Sequence, residues 1–436
     1  YLDEARLTRR SSYSEATWLF STLVKRGVRT IAFTKARKVT ELIYRYAATR
    51  LEKEAPETAQ RISPYRAGYL PEERRRIEQR LFKGDLVGVV STSALELGID
   101  VGGLDAALLV GYPGTIASTW QRIGRAGRGR EPSLAVLIAL DDALDQYLMR
   151  HPDYLFSRPP EHAVIDPENP YILAGHLRCA AAELPIWDGD RLLFGPRTLE
   201  VAELLEEHGD LVRRRDRWYW AAPRRYPASE VEVRAASGDI YRIIDVDEGR
   251  LLGTVDAARA FVQVHPGAIY LHQGEIYVVR RLDLAEKVAH VAPSAGDYYT
   301  QPRVLTDVSI LRQHEERPWG PTRAWFGDVD VTSQVIEFVR KQLFTETVLG
   351  SEPLDLPEQT LSTTALWFTI PPDLVRAMAE RGLDLAGGIH AVEHAAIGLL
   401  PLFAMCDRWD IGGVSYPRHP QTDVPTIFIY DGHPGG

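Results

Sequence analysis

"VRTIAFTKARKVTELIYRYAATRLEKEA", residues 28–55, opens with a short apolar, β-branched run and continues with Val39, Leu42, Ile43 and Tyr44 at helical spacing. Thr34 stands where the run ends and is placed to cap the helix. The stretch is therefore one strand followed by one helix. The same alternation continues downstream. "ISPYRAG" (62–68) precedes a helix opened by Pro71 in "LPEERRRIEQRLFKG", and "LVGVVST" (86–92), "DAALLVGYP" (105–113) and "SLAVLIAL" (133–140) read as buried strands. Continuous apolar strands separated by helices predict a parallel sheet covered on both faces, whose ligands gather beyond the carboxyl ends of its strands.

The polar residues follow that rule. Thr34 and Arg37 come after the first strand, "STSALELGID" (91–100) after the third and "GYPGT" after the fourth. "TIASTWQRIGRAGR" (115–128) joins the same rim, with its helix expected near Ser118 and with Arg122, Arg125 and Arg128 along one side, aimed across a cleft. Glycines 124 and 127 allow a backbone or ligand to approach closely. The plainer reading of Glu96 and Asp100 is a helix cap or an ion pair with Arg122.

Composition narrows the class. Of 436 residues, 45% are hydrophobic and 25% charged, as in ordinary globular protein, and apolar runs such as 133–140 fall short of the roughly 20 residues of a membrane span. The opening residues show no apolar core of a signal peptide, and Cys179 and Cys406 give no disulfide framework, so a reducing, cytoplasmic setting is expected. A net charge of −9 argues against coating nucleic acid wholesale but leaves room for a local basic channel. The chain starts on Tyr1 and stops just after the strand-like "FIYD", so both ends read as cut.

Beyond residue 150 the pattern changes. Residues 151–170 are rich in proline and turn residues and read as a linker; two helical stretches and "RRRDRWYW" (213–220) then suggest a winged helix, giving a unit over 151–228. Arg213 and Arg215 beside Trp218 and Trp220 offer charge for phosphates and rings for stacking on bases, with core packing of the rings as the alternative. Residues 229–315 read as a small all-β domain, with "AIYLHQGEIYVV" as a hairpin, and 316–436 as a partial α/β domain.

"IAFTKAR", "YRAGYLPEERR", "STSALELGID" and "QRIGRAGR" resemble, in order, motifs IV, IVa, V and VI of the second RecA-like domain of a superfamily 2 helicase, here spanning 1–150. "LSTTALWFTIP", "GGIHAVEHAAIGLLPLFAMCDRWDIGG" and "PTIFIYDGHPGG" are similar to the start of the zinc-binding domain of the bacterial mitomycin repair helicase (MrfA) family. The resemblance implies an ATP-dependent, 3′-to-5′ DNA repair helicase. It places Arg125 and Arg128 on the γ-phosphate of ATP with Gln121 lining the site, has Gly98 and Asp100 couple nucleotide to DNA, and sets Thr34, Arg37, Arg66 and Thr92 on the phosphodiester backbone of single-stranded DNA or a 3′ tail. An RNA helicase, or a nucleic-acid platform without catalysis, is the alternative.

No GxxxxGK[ST] occurs, and "DEAR" (3–6) lacks the apolar strand that would aim a Walker B carboxylate. The chain alone is thus not expected to hydrolyse ATP. ATP and Mg²⁺ belong to a protein that also holds the first RecA-like domain, the partner within the same polypeptide. Family members bind zinc through four cysteines; this chain has two, so no metal ligand is assigned here and zinc is expected only in the full-length protein. The remaining expectations are a monomer, no membrane partner and a nucleoid-associated location. "HAVEH" (390–394) matches an inverted zinc-peptidase spacing, but the apolar flanks favour a structural helix with His390 and His394 on buried polar partners.

Overall fold

The computed structural model describes residues 11–97, 103–127, 132–163, 165–223, 226–229, 231, 240–343, 347–404, 406 and 410–433, and the backbone at 2–3 and 8–9. The fold is α/β, a RecA-like parallel sheet followed by a winged helix and further antiparallel sheets.

The parallel sheet contains β1 (Thr30–Thr34), β2 (Ile62–Tyr65), β3 (Gly88–Ser91), β4 (Ala106–Val110) and β5 (Leu134–Ile138), in the order β2-β3-β1-β4-β5. Period-two alternation distributes their residues between two cores. Val90 and Leu108 pack with Phe20, Ile43 and Leu51 on one face, and Val89 and Leu109 pack with Phe33, Ile77 and Leu81 on the other. The first face is covered by α1 (Ser12–Lys25) and α2 (Arg37–Glu54), the second by α3 (Pro71–Lys83). Pro71 occupies the first turn of α3 and Gly84, at φ 82°, ends it. The next helix, α4, spans Ile116–Ile123.

Thr34 does not cap α2. It is the last residue of β1, and Ala36 holds the cap position without a side-chain bond.

The winged helix joins helices Pro170–Glu183 and Thr198–Glu207 to the hairpin Leu211–Arg214/Arg217–Trp220. Leu173, Leu177, Val201, Leu205 and Trp218 form its core. A five-stranded sheet follows, antiparallel except where Ile240–Asp245 runs parallel to Val288–Pro293. It carries the hairpin Ile269–His272/Glu275–Asp283, turned by Gln273 at φ 49° and Gly274 at φ 86°, and one helix, Ala257–Gln263, within a stretch expected to be all-β.

The expected boundary between residues 315 and 316 falls inside a strand. Tyr298–Trp319 pairs with Thr322–Gln342 across a long antiparallel hairpin, and the second sheet is completed by Gln359–Thr369, Thr426–Asp431 and Ile411–Tyr416, with Val348–Pro353 on an edge. On it lies Leu385–Leu399. The stretch Leu385–Leu402 is long and apolar enough to cross a membrane by length and composition, unlike the shorter apolar runs read from the sequence. In this fold the helix docks instead through Ile389 and Ile397, against Phe368, Ile427 and Ile429.

Candidate nucleotide and nucleic-acid interface

The carboxyl rim of the parallel sheet is built by short-range rules. After β3, Thr92 accepts a hydrogen bond from the Ala94 amide and opens the turn Ser93–Leu95. After β4, Thr115 caps α4 by accepting from the Ser118 amide, and α4 therefore begins two residues before the expected start. Glu161, in the linker, receives the Ile116 and Ala117 amides at 2.6 and 3.2 Å, so a carboxylate sits on the positive end of the helix.

The rim's arginines divide into two kinds. Arg122 is 5% exposed and donates through Nε to Glu96 at 2.8 Å, while Glu96 also accepts from Ser118 Oγ. It does not point across the cleft. A buried guanidinium without a carboxylate would be costly, so Arg122 joins motif V to motif VI inside the lobe; the plainer reading of Glu96 is the correct one. Past the helix end, Gly127 donates its amide to Leu104 O, and at φ 82° an added Cβ would collide with Ser133 Oγ. Arg125 is half-buried in this anchored turn and Gln121 is exposed. Arg128, Gly98 and Asp100 lie outside the described residues, as does most of "DEAR".

A second correction concerns Arg66, expected on the DNA backbone. It is 3% exposed. Its Nε donates to Glu41 at 2.9 Å and its Nη2 to Tyr270 Oη and Leu271 O, 204 and 205 residues away. Glu41 also accepts from Tyr69 Oη and the Gly274 amide. Burial pulls the Arg66 pKa down, but the surrounding Tyr270 and Glu41 more than offset it and hold the group charged. The hairpin tip His272–Gly274 is clasped in the same way, with His272 Nε2 and Gln273 Nε2 both on Glu73 Oε1 and Arg45 on Gly274 O. Where the motor lobe meets this sheet, Gly253 has no room for a Cβ because the Gly68 carbonyl lies against it.

Thr34 is likewise withdrawn, being 1% exposed and sharing a 2.6 Å hydrogen bond with Thr40. Arg37 differs. It is half-buried, has no ion-pair partner among the described residues, and its pKa is lowered first by burial and then by the like charge of Arg66. A guanidinium so placed gains from a phosphate.

On the wing, Arg213, Arg214, Arg215 and Arg217 are exposed, but Trp218 is 2% exposed and donates Nε1–H to Glu206 at 2.9 Å. Trp220 packs partly against the same core. The assignment of Trp218 to base stacking is therefore wrong, because alternation along Arg217–Trp220 turns both tryptophans inward. The outward rings are Tyr219, with Arg214 above it, and Trp187, 47% exposed, with Arg217 above it. Strict alternation through "RWYW" would have found Tyr219. Trp218→Phe is expected to cost about 1–2 kcal/mol in a urea melt through lost volume and a lost hydrogen bond, with DNA affinity unchanged. An unchanged melt with weakened DNA binding would restore the stacking role.

A RecA-like lobe whose rim carries motifs V and VI, joined to a winged helix, defines the second motor domain of a superfamily 2 helicase. Residues 15–130 match the helicase conserved C-terminal domain, 165–236 the winged helix domain of ATP-dependent helicase HRQ1, and 392–436 the MrfA Zn-binding domain. The chain is 38% identical over 433 residues to the uncharacterized ATP-dependent helicase YprA of Bacillus subtilis, covering 98% of this chain and 57% of that protein. It is 32% identical to ATP-dependent helicase hrq1 of Schizosaccharomyces pombe, over 91% of this chain and 37% of the relative. The crystal structure of the DUF1998 helicase MrfA bound to DNA superposes with a TM-score of 0.76 at 37% identity, over 100% of this chain and 57% of that one. Over nearly its whole length the chain is similar to the MrfA and Hrq1 helicases, and it spans a little over half the length of YprA and of MrfA.

Proposed function

We propose that this chain is the C-terminal part of an ATP-dependent helicase that moves 3′ to 5′ on single-stranded DNA during DNA repair. Arg125 and Arg128 reach across to ATP and Mg²⁺ held by the first RecA-like domain of the same polypeptide, with Gln121 beside them. Gly98 and Asp100 carry the nucleotide state to the strand. Arg37, Thr92 and the wing arginines, Arg213 and Arg215 among them, follow the phosphate backbone. The protein works as a monomer in the cytoplasm, on the nucleoid.

The observation that carries this reading is the Glu96–Arg122 pair, which locks the two rim motifs into one rigid unit. Phosphoryl transfer needs charge held in place, because a guanidinium that must first be ordered loses much of its effect. Backbone contacts carry no base information, as a motor moving over arbitrary sequence requires. DNA is favoured over RNA by the kinship with MrfA, a protein crystallised with DNA and with AMPPNP.

A filter-binding titration tests the strand-tracking half. Affinity for an oligodeoxynucleotide is expected to fall linearly in log–log form with salt, at about 0.7 per phosphate contacted, and Arg37→Ala to flatten the slope by about one contact. Salt-independent binding would refute the channel. Tighter binding to RNA of the same sequence would transfer the reading to an RNA helicase.

A further inference from the structure

Helix Leu385–Leu399 buries one stripe, Ile389, Glu393 and Ile397, at spacings of four. The middle member is a carboxylate, 5% exposed, amid a seam otherwise apolar. Its Oε2 accepts from Ser415 Oγ at 2.7 Å and lies 3.2 Å from His390 Nδ1. Gly413 makes the room, since an added Cβ there would stand 3.0 Å from Glu393 Cγ. His394 Nε2 is 3.2 Å from His390 Nε2, and one donor atom from each of the three side chains lies within 4.8 Å of the others.

The expectation that His390 and His394 satisfy buried polar partners holds for His390, whose Nδ1 meets the buried Glu393, but both rings are themselves exposed and His394 meets the exposed ring of His390. The two rings share a hydrogen bond when one nitrogen carries the proton, and the same approach suits two ligands of one ion. Two nitrogens bound to one tetrahedral zinc at 2.0–2.1 Å stand about 3.3 Å apart, close to the observed separation. The buried carboxylate faces the other nitrogen of His390, Nδ1, and a turn of that imidazole brings three donors already within 4.8 Å of one another onto one ion, with Ser415 orienting the carboxylate that supplies the negative charge.

The geometry points to a divalent transition-metal site formed by His390, Glu393 and His394, with zinc as its ion. Glu393 and His394 lie in the segment matching the MrfA Zn-binding domain and His390 two residues before it, yet a four-thiolate centre cannot be made from the two cysteines of this sequence. Cys406 is half-buried and its Sγ donates to Ala404 O. The trio is a separate donor set, two imidazoles and a carboxylate, with coordination positions left for an outside ligand. Loaded, it ties helix 385–399 to strand Ile411–Tyr416 through Glu393 and Ser415.

The test uses the whole chain, stripped with chelator and titrated with Zn²⁺ for stoichiometry and with Co²⁺ for its visible d–d bands. One equivalent of zinc, tetrahedral or five-coordinate Co²⁺ bands and a zinc-dependent rise in melting temperature are expected. His390→Ala and His394→Ala should each abolish stoichiometric binding, with a urea melt of each zinc-free variant showing that the fold is retained. Ser415→Ala should weaken it about 10–100-fold as an outer-shell change. Wild-type chain that takes up no zinc overturns the assignment. So does a full equivalent retained by the His390→Ala/His394→Ala double variant, or zinc lost only on Cys406→Ser.

Discussion

Replacing Arg125 with alanine, in a protein that also carries the first RecA-like domain, is expected to lower ATP hydrolysis by about 10³–10⁵-fold while leaving affinity for single-stranded DNA nearly unchanged. The metaphosphate-like transition state spreads charge over three equatorial oxygens, and a planar guanidinium held in place answers it better than a flexible ammonium, so Arg125→Lys should recover little. The protein positions that group through its backbone. Gly127 is tied to Leu104 and Arg125 follows directly on the Gly124 cap. Arg122→Ala supplies the contrast. It leaves Glu96 buried without its cation and should act chiefly on stability, by about 3–5 kcal/mol, with catalysis lost as a consequence. Steady-state turnover together with a chemical melt separates the two. Undiminished turnover in Arg125→Ala would place that side chain outside the chemistry.

Removing Arg66 should unfold the seam between the motor lobe and the five-stranded sheet before it affects DNA. Arg66→Ala or Glu41→Ala is expected to cost about 3–5 kcal/mol, because either leaves a buried charge and several hydrogen-bonding partners uncompensated. The partners are specific: Tyr270 and Leu271 lose a donor, and Tyr69 and Gly274 share the same Glu41 acceptor. Since both single variants break one network, the double variant should cost far less than their sum. A denaturant melt that barely moves, paired with a salt slope reduced by one phosphate contact, would return Arg66 to the DNA channel and refute the latch.

Much of this architecture was legible in local pattern. β1 to β5, α2 and α3 follow from apolar periodicity and from Pro71 and Gly84, and the hairpin at 269–283 from Gln273–Gly274. The motif order pointed to the lobe that matches the helicase conserved C-terminal domain. Helix α1 went unread, its residues 12–25 mixing polar and apolar positions, and the 315/316 boundary failed because polar residues near the tip of a long exposed hairpin look like a break between domains.

Sequence by itself determined which residues are basic, which segments are strands or helices, and that one edge of the parallel sheet collects the polar side chains. Tertiary structure alone decided how each charge is used. Arg122 is neutralised by Glu96, 26 residues away, and Arg66 by a network reaching to Tyr270, while Arg37 makes no ion pair among the described residues and feels Asp256 only at a distance. Periodicity is a property of neighbours along the chain and sets only the face on which a side chain stands. Whether that face meets water, a phosphate or a buried carboxylate depends on elements 25 to 205 residues apart, and the cost of burying an unpaired charge makes that meeting selective.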